Sequence, residues 1–266
     1  MKQLDEADAR RDVDRLNREL HRNLFLETAL IAFVLGAVTI LSMGLVFYAY
    51  ATHNATLLAL GLYVLVVHVA FHLCEFFIAA LLRPHDTHPD AFMILHSKEY
   101  VAASSGALLE FFVEAYFVPG SWKLCTVRHP ILGFFFRVNL AGAALFTFLV
   151  VIFYGIRVTA MLQCGANFSL TIESERRGSH RLVTHGLYRY LRHPAYFGWF
   201  WRTCFAQCIL ANPLSMVVHT AVTWYFFHSR IPYEESTLER PDYFGEEYTA
   251  YRHRTFVGIP FCTRGK

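Results

Sequence analysis

Three groups of residues have the types and spacing to do chemistry. The first is His68, His72 and Glu75, which fall at i, i+4 and i+7 of an apolar run and share one helical face. Such a trio can hold a metal ion. A membrane di-iron centre needs several His-rich clusters, however, and the neighbouring His85 and His88 have no HxxHH companion. Ionisable groups inside a membrane usually face the bundle interior and pair with one another, so the trio reads as structural and no metal is expected. The six cysteines show no CxxC and read as small buried hydrophobes.

The second group is SHRLVTHGLYRYLRHPAYFG, Ser179–Gly198. Gly186 frees the backbone from Cβ constraints, which allows chain and ligand to approach closely. Pro194 pushes His193 out of α geometry and opens the next helix as its first residue. Backbone groups, an imidazole and the rings of Tyr188 and Tyr196 would then stand at the mouth of a membrane span, where aromatic faces attract cations. The alternative is an interfacial aromatic belt with snorkelling arginines.

The third group follows the last apolar run. FFHSRIPYEESTL carries Arg230 and the adjacent Glu234 and Glu235, and FGEEYTAYRHR spans Phe244–Arg254. Neighbouring carboxylates repel unless a cation lies between or beside them. A solvated charge run is the other reading.

The elements that position these groups are membrane helices. Of 266 residues, 55% are hydrophobic and only 17% charged, with mean hydropathy +0.33. That balance fits a polytopic membrane protein. A hydrocarbon core about 30 Å thick takes about 20 apolar helical residues. Leu24–Tyr50, Thr56–Leu82, Ile131–Leu162, Ala195–Ala211 and Pro213–His228 are expected spans, the last two joined at Asn212-Pro213. Tyr100–Val118 carries Ser104, Ser105, Glu110 and Glu114, and reads as a sixth span with a polar interior face or as an interfacial helix. The fold expected is an all-α polytopic bundle of six to eight transmembrane helices with a cytosol-facing C-terminal catalytic region.

Three parts follow: a polar N-terminus over 1–23, a membrane region over 24–162, and a catalytic region over 163–266 with a helical hairpin and tail. Residues 1–22 are polar and charge-balanced, so the first apolar run is expected to be an internal anchor. Six arginines between Arg157 and His193 face only Glu173 and Glu175, which with the charged tail predicts a cytosolic side for both.

The order RHPxYxG, a hairpin with Asn-Pro at its tip, EExxL, then FGxxYxxY resembles the isoprenylcysteine carboxyl methyltransferase family, in the layout of its animal members. The likeness runs from about Gly165, at GANF, to Phe261. It implies a methyltransferase that uses S-adenosylmethionine, leaving S-adenosylhomocysteine, to esterify the C-terminal carboxylate of S-farnesyl or S-geranylgeranyl cysteine in processed CaaX proteins such as small GTPases and lamins. It also implies an endoplasmic reticulum membrane, no nucleic acid and no metal.

By the same resemblance the cofactor is held by Glu173, His180, Arg181, Leu182, Val183, Tyr188, His193, Pro194, Ala195, Tyr196 and Glu234, and the substrate carboxylate by Arg230. Two departures stand out: glutamine is commoner where this chain has Glu173, and Leu238–Phe244 is about two residues longer, which lengthens a loop. Sterol reductases that use NADPH and phospholipid N-methyltransferases share parts of the signature and are the alternatives.

The residues agree with such a reaction. A carboxylate is already ionised at neutral pH, so its methylation needs no general base. It needs an in-line approach of about 3–3.5 Å, which is positioning work. A single planar arginine suits the acceptor without over-stabilising the ground state. Arg202, inside GWFWRTC, is a second candidate, with snorkelling or pairing to a neighbouring acid as its other role.

Overall fold

The computed structural model describes residues 2–84, 87–94, 98–117, 138–169, 171–176, 178 and 180–262, with side chains from residue 23 onward. Among these, regular structure is helical, apart from one isolated bridge between Leu191 and Phe256. The expected all-α class holds. His85, Cys125 and the first part of the expected Ile131–Leu162 span lie outside the described residues.

Helix α1 covers Lys2–Ala51, and its Asn23–Ala51 stretch is long and apolar enough to cross a membrane. It presents Phe25, Phe33, Ile40 and Phe47 outward, each about three-quarters exposed. A row of exposed large apolar side chains is the surface a bilayer covers. The chain turns at His53, held at φ +53, and Asn54 caps helix α2 by accepting from Leu57 N. Helix α2 runs Ala55–Leu82, with a π-helical middle at Tyr63–Ala70.

Helix α3, Lys98–Phe112, continues through a π turn to Phe117. Ser105 is exposed, but Glu110 is part-buried and has a partner in the bundle. The Glu110 carboxylate accepts from Leu214 N at 2.9 Å and Ser215 N at 2.6 Å, satisfying the start of a later helix. Helix α4, Leu140–Cys164, is capped by Asn139, whose Oδ1 accepts from Gly142 N.

Helices α5 (Pro194–Ile209) and α6 (Pro213–Leu238) form the expected hairpin, each with proline in its first turn. Asn212 at the tip donates to the Ala107 carbonyl at 2.7 Å. Gly198 lets α5 cross α4 closely, since a Cβ there would strike the Phe153 carbonyl and Arg157 N. A short helix α7, Glu246–His253, closes the chain's polar end.

Candidate active site

Every described residue that lines the first cavity comes from the C-terminal end of α4 onward. Its walls are the end of α4, the irregular segment 165–193, the start of α5, the end of α6, and α7. The space within these walls, open side included, is about 900 Å³.

Local chemistry builds the walls. Asn167, in GANF, donates to the Cys164 carbonyl and accepts from Arg181 N at 3.2 Å, folding the irregular segment over the end of α4. His180 Nε2 donates to the Asn167 carbonyl at 3.2 Å, and its Nδ1 lies 3.0 Å from Tyr243 Oη. Gly186 sits at φ +58 with the Gln163 amide where a Cβ would be, and Gln163 Oε1 accepts from Leu187 N. Its freedom is therefore spent on a side chain of α4.

His193 has φ −128 and ψ 59, outside α geometry as the following proline dictates. Its Nε2 donates to Glu235 Oε1 at 3.1 Å, and Arg192 Nε donates to the same oxygen at 2.5 Å. Arg192 also donates to the Thr255 carbonyl at 2.8 Å. Burial raises the Glu235 carboxyl, but hydrogen bonds and charge from His193 and Arg192 outweigh it and hold the group below the ordinary carboxylate range. The expected cation beside the carboxylate pair is thus Arg192. Glu234 points the other way and accepts from Tyr196 Oη at 2.5 Å.

All eleven residues singled out for the cofactor line this cavity: Glu173, His180, Arg181, Leu182, Val183, Tyr188, His193, Pro194, Ala195, Tyr196 and Glu234. Sequence reasoning missed Asn167, Arg192, Tyr243, Phe244, Tyr248 and Tyr251, which line it too. FGxxYxxY already marked Phe244, Tyr248 and Tyr251, and RHP contains Arg192. Tyr243 and Phe244, at the end of the stretch from Leu238, pack on His180 and join the wall. Glu173 lies 3.4 Å from Arg83 Nη1, a link to α2.

A second cavity, with about 1300 Å³ of space counted the same way, lies among α2, α3, α5 and α6. Its walls are mostly apolar and include Val67, Trp199, Ala206, Val222 and Phe226. Arg230 touches the lining of both. Its Nε donates to Tyr196 Oη at 2.9 Å, in the first wall, while its guanidinium lies 5.6 Å from the Phe226 ring centre, in the second.

The intramembrane groups resolve as follows. Glu75 takes a bidentate pair from Arg157, at 2.7 Å to each oxygen, with both side chains 1% exposed. Arg157 therefore does not belong among the interfacial charges that orient the chain, and buried Arg192 does not either. His72 Nδ1 donates to the Phe92 carbonyl at 2.7 Å. Arg202 does not snorkel, and among the described residues no acid is bonded to it. It is 4% exposed, donates through Nη2 to the Val67 carbonyl, and lies 4.1 Å from the Phe71 ring centre.

Residues 144–240, which span α4, the irregular wall, α5 and α6, match the isoprenylcysteine carboxyl methyltransferase (ICMT) family. A yeast (Saccharomyces cerevisiae) protein named protein-S-isoprenylcysteine O-methyltransferase is 32% identical over 91% of this chain and 94% of its own length. The chain belongs to the isoprenylcysteine carboxyl methyltransferase family. A Tribolium castaneum relative of the same name is 37% identical over 73% of this chain; the match spans 63% of that longer protein. A solved structure of the eukaryotic intramembrane Ras methyltransferase ICMT superposes with TM-score 0.73 at 33% identity, covering 86% of this family member and 74% of that chain.

Proposed function

We propose that this chain methylates the C-terminal carboxylate of S-farnesyl or S-geranylgeranyl cysteine in processed CaaX proteins, with S-adenosylmethionine as donor. The observation that carries this reading is Arg230, which bonds to Tyr196 in the wall of the first cavity and lies beside Phe226 in the wall of the second, more apolar one. Such a pair of compartments suits one water-soluble and one lipid-soluble substrate.

The donor set of the first cavity fits the cofactor. Glu173 and Glu234 are acceptors for an ammonium or a ribose hydroxyl, and Tyr188, Phe244 and Tyr248 offer ring faces to an adenine or a sulfonium. When bound, S-adenosylmethionine supplies an electrophilic methyl group. The chain's own work is then positional. The Glu235 bonds hold Arg192 and His193, and with them the Pro194 turn, in one place. Tyr196 is fixed between Glu234 and Arg230, which holds Arg230 beside the first cavity. The Arg230 fork would orient the acceptor carboxylate without taking a proton from it.

The second cavity is the compartment for the isoprenyl chain, each buried CH₂ of which contributes about 0.8 kcal/mol. Small GTPases and lamins are the expected protein partners. The setting proposed is the endoplasmic reticulum membrane, with residues 1–23, the segment leading to His193 and the C-terminal tail on the cytosolic side, and the active site facing the cytosol. Membranes containing the protein should transfer label from S-adenosylmethionine to a prenylcysteine. Label moving only to phosphatidylethanolamine, or reduction of a sterol with NADPH, would replace the reading with one of its two alternatives.

A further inference from the structure

After α7 the chain runs back along the outside of the α5–α6 hairpin. Residues 256–262 form an irregular strap there, and none of them lines either cavity. Val257, Ile259 and Cys262 turn inward onto Phe200, Phe227 and Ile231. Gly258, at φ +76, lies so close to α5 that a Cβ would strike the Phe197 ring. Phe256 and Phe261 turn the other way and are 74% and 83% exposed. Phe261 is also held at φ +57, which a bulky side chain adopts only at a cost.

The neighbours of the strap fix its depth. Trp201 Nε1 donates to the Gly258 carbonyl at 3.1 Å, and the Trp201 ring centre lies 6.1 Å from that of Phe153. Phe153 is near the middle of α4, in a stretch long and apolar enough to cross a membrane. Trp224 Nε1 donates to the Pro260 carbonyl at 2.7 Å, from a position about 15 Å along α6 from Glu234. The strap therefore descends well below the polar wall of the first cavity. Its backbone suits a place without water. The carbonyls of Phe256, Gly258, Ile259 and Pro260 accept from Arg192 N, Trp201, Cys262 N and Trp224, and Pro260 has no N–H to satisfy.

We propose that residues 256–262 are a membrane-inserted strap, with the Phe256 and Phe261 rings among lipid acyl chains, and that this insertion seats the wall of the first cavity. Lipid is the occupant because the apolar surface continues down the hairpin: beyond Trp224 the same stripe of α6 runs on as Val217 and Leu214, both exposed. Seven residues reach at most about 25 Å, less than the hydrocarbon core of about 30 Å. The strap therefore dips into the leaflet on the first cavity's side and does not cross. Its start is bonded to that cavity's wall. Arg192 donates from its backbone N to the Phe256 carbonyl at 2.9 Å and from Nη1 to the Thr255 carbonyl at 2.8 Å. Arg192 in turn holds Glu235, so lipid that holds the strap also holds the turn at His193-Pro194. Only this coupling rests on the first cavity being the cofactor site; the insertion does not.

The test uses the full chain in phosphatidylcholine nanodiscs. Phe256→Cys, Phe261→Cys and, as a control on exposed α7, His253→Cys each carry a nitroxide spin label, with wild type treated alike as background for the native cysteines. Collisions with oxygen and with a water-soluble nickel chelate are read by power-saturation EPR. Labels at 256 and 261 should be relaxed by oxygen and shielded from nickel, and the label at 253 should show the reverse. Nickel access at 256 and 261 equal to that at 253 would overturn the insertion by placing the strap in water. Poor access of both reagents would overturn it by placing the strap against protein, a second copy included. Phe256→Asp combined with Phe261→Asp should weaken S-adenosylmethionine binding by about fivefold or more, while the paired leucine substitutions should keep it. Unchanged binding in the aspartate pair, or equal loss in the leucine pair, would overturn the seating. Wild type that binds no cofactor would instead remove the cofactor reading, and the nitroxide pattern would still decide the insertion.

Discussion

The first cavity keeps its buried cation in a pair, Arg192 against Glu235, whereas the second, more apolar cavity has Arg202 in its wall with no carboxylate among the described residues bonded to it. Both arginines are under 10% exposed. The paired one fixes a geometry: Glu235 binds Arg192 and His193 through one oxygen, and the Pro194 turn follows. Arg202 instead spreads its charge over a ring and a carbonyl of the π-helical stretch, which joins α5 to α2 but aims nothing at a ligand's anion. Position in a motif therefore says more about an arginine's task than burial does.

The contrast breaks most readily at Glu235. Glu235→Ala leaves Arg192 buried without its carboxylate, a loss of about 3–5 kcal/mol. It should show as a large drop in the melting temperature of the detergent-solubilised protein, together with lost cofactor binding. His193→Ala removes one donor to the same oxygen, so it should also cost stability rather than act on the ligand alone. The acid limb follows from the lowered carboxyl of Glu235. Its contribution is complete above the unfolded value near 4.3 and disappears as pH falls through the lower folded value. A melting temperature insensitive to pH between 5 and about 2 would contradict this.

Arg230→Ala is the next largest change. Loss of a charge-assisted carboxylate contact should lower catalytic efficiency by roughly one to two orders of magnitude, about 1.5–3 kcal/mol, and spare cofactor affinity. Arg230→Lys should recover only part, because a point charge lacks the planar fork. Equal loss of cofactor affinity and turnover would move Arg230 into the first cavity's work.

Glu234→Gln and Tyr188→Ala should have smaller effects, about 1 kcal/mol or roughly fivefold in cofactor affinity for the amide variant. Calorimetry on purified protein measures this directly, and unchanged binding in both variants would place the donor elsewhere. Smallest of all is Arg202→Met, at about 1 kcal/mol or less, since a modest cation–π contact is exchanged for relief from burying a charge. Should Arg202→Met abolish turnover per folded molecule while Arg230→Ala does not, the two arginines have been assigned the wrong way round.

Several parts of this arrangement were legible in the residues. RHPAY declares a turn, because proline removes α geometry from His193 and fits the first turn of a helix. Apolar runs of more than twenty residues declare membrane helices. The signature from GANF to FGEEYTAY marked most of the first cavity's lining. Such features depend on neighbours in the chain, and a single sequence carries them in full.

What the sequence by itself determined was therefore the helical membrane class, the hairpin, and which residue types gather at the polar end. Tertiary structure alone decided who meets whom. Glu75 and Arg157 lie on α2 and α4, Gln207 bridges α2 and α6, and Glu110 caps a helix a hundred residues further on. No spacing rule links such positions, because helix rotation and crossing, set by close packing at sites such as Gly198, bring them together. In an interior without water, each buried polar group must find its partner in the fold, and only the assembled bundle decides which one it is.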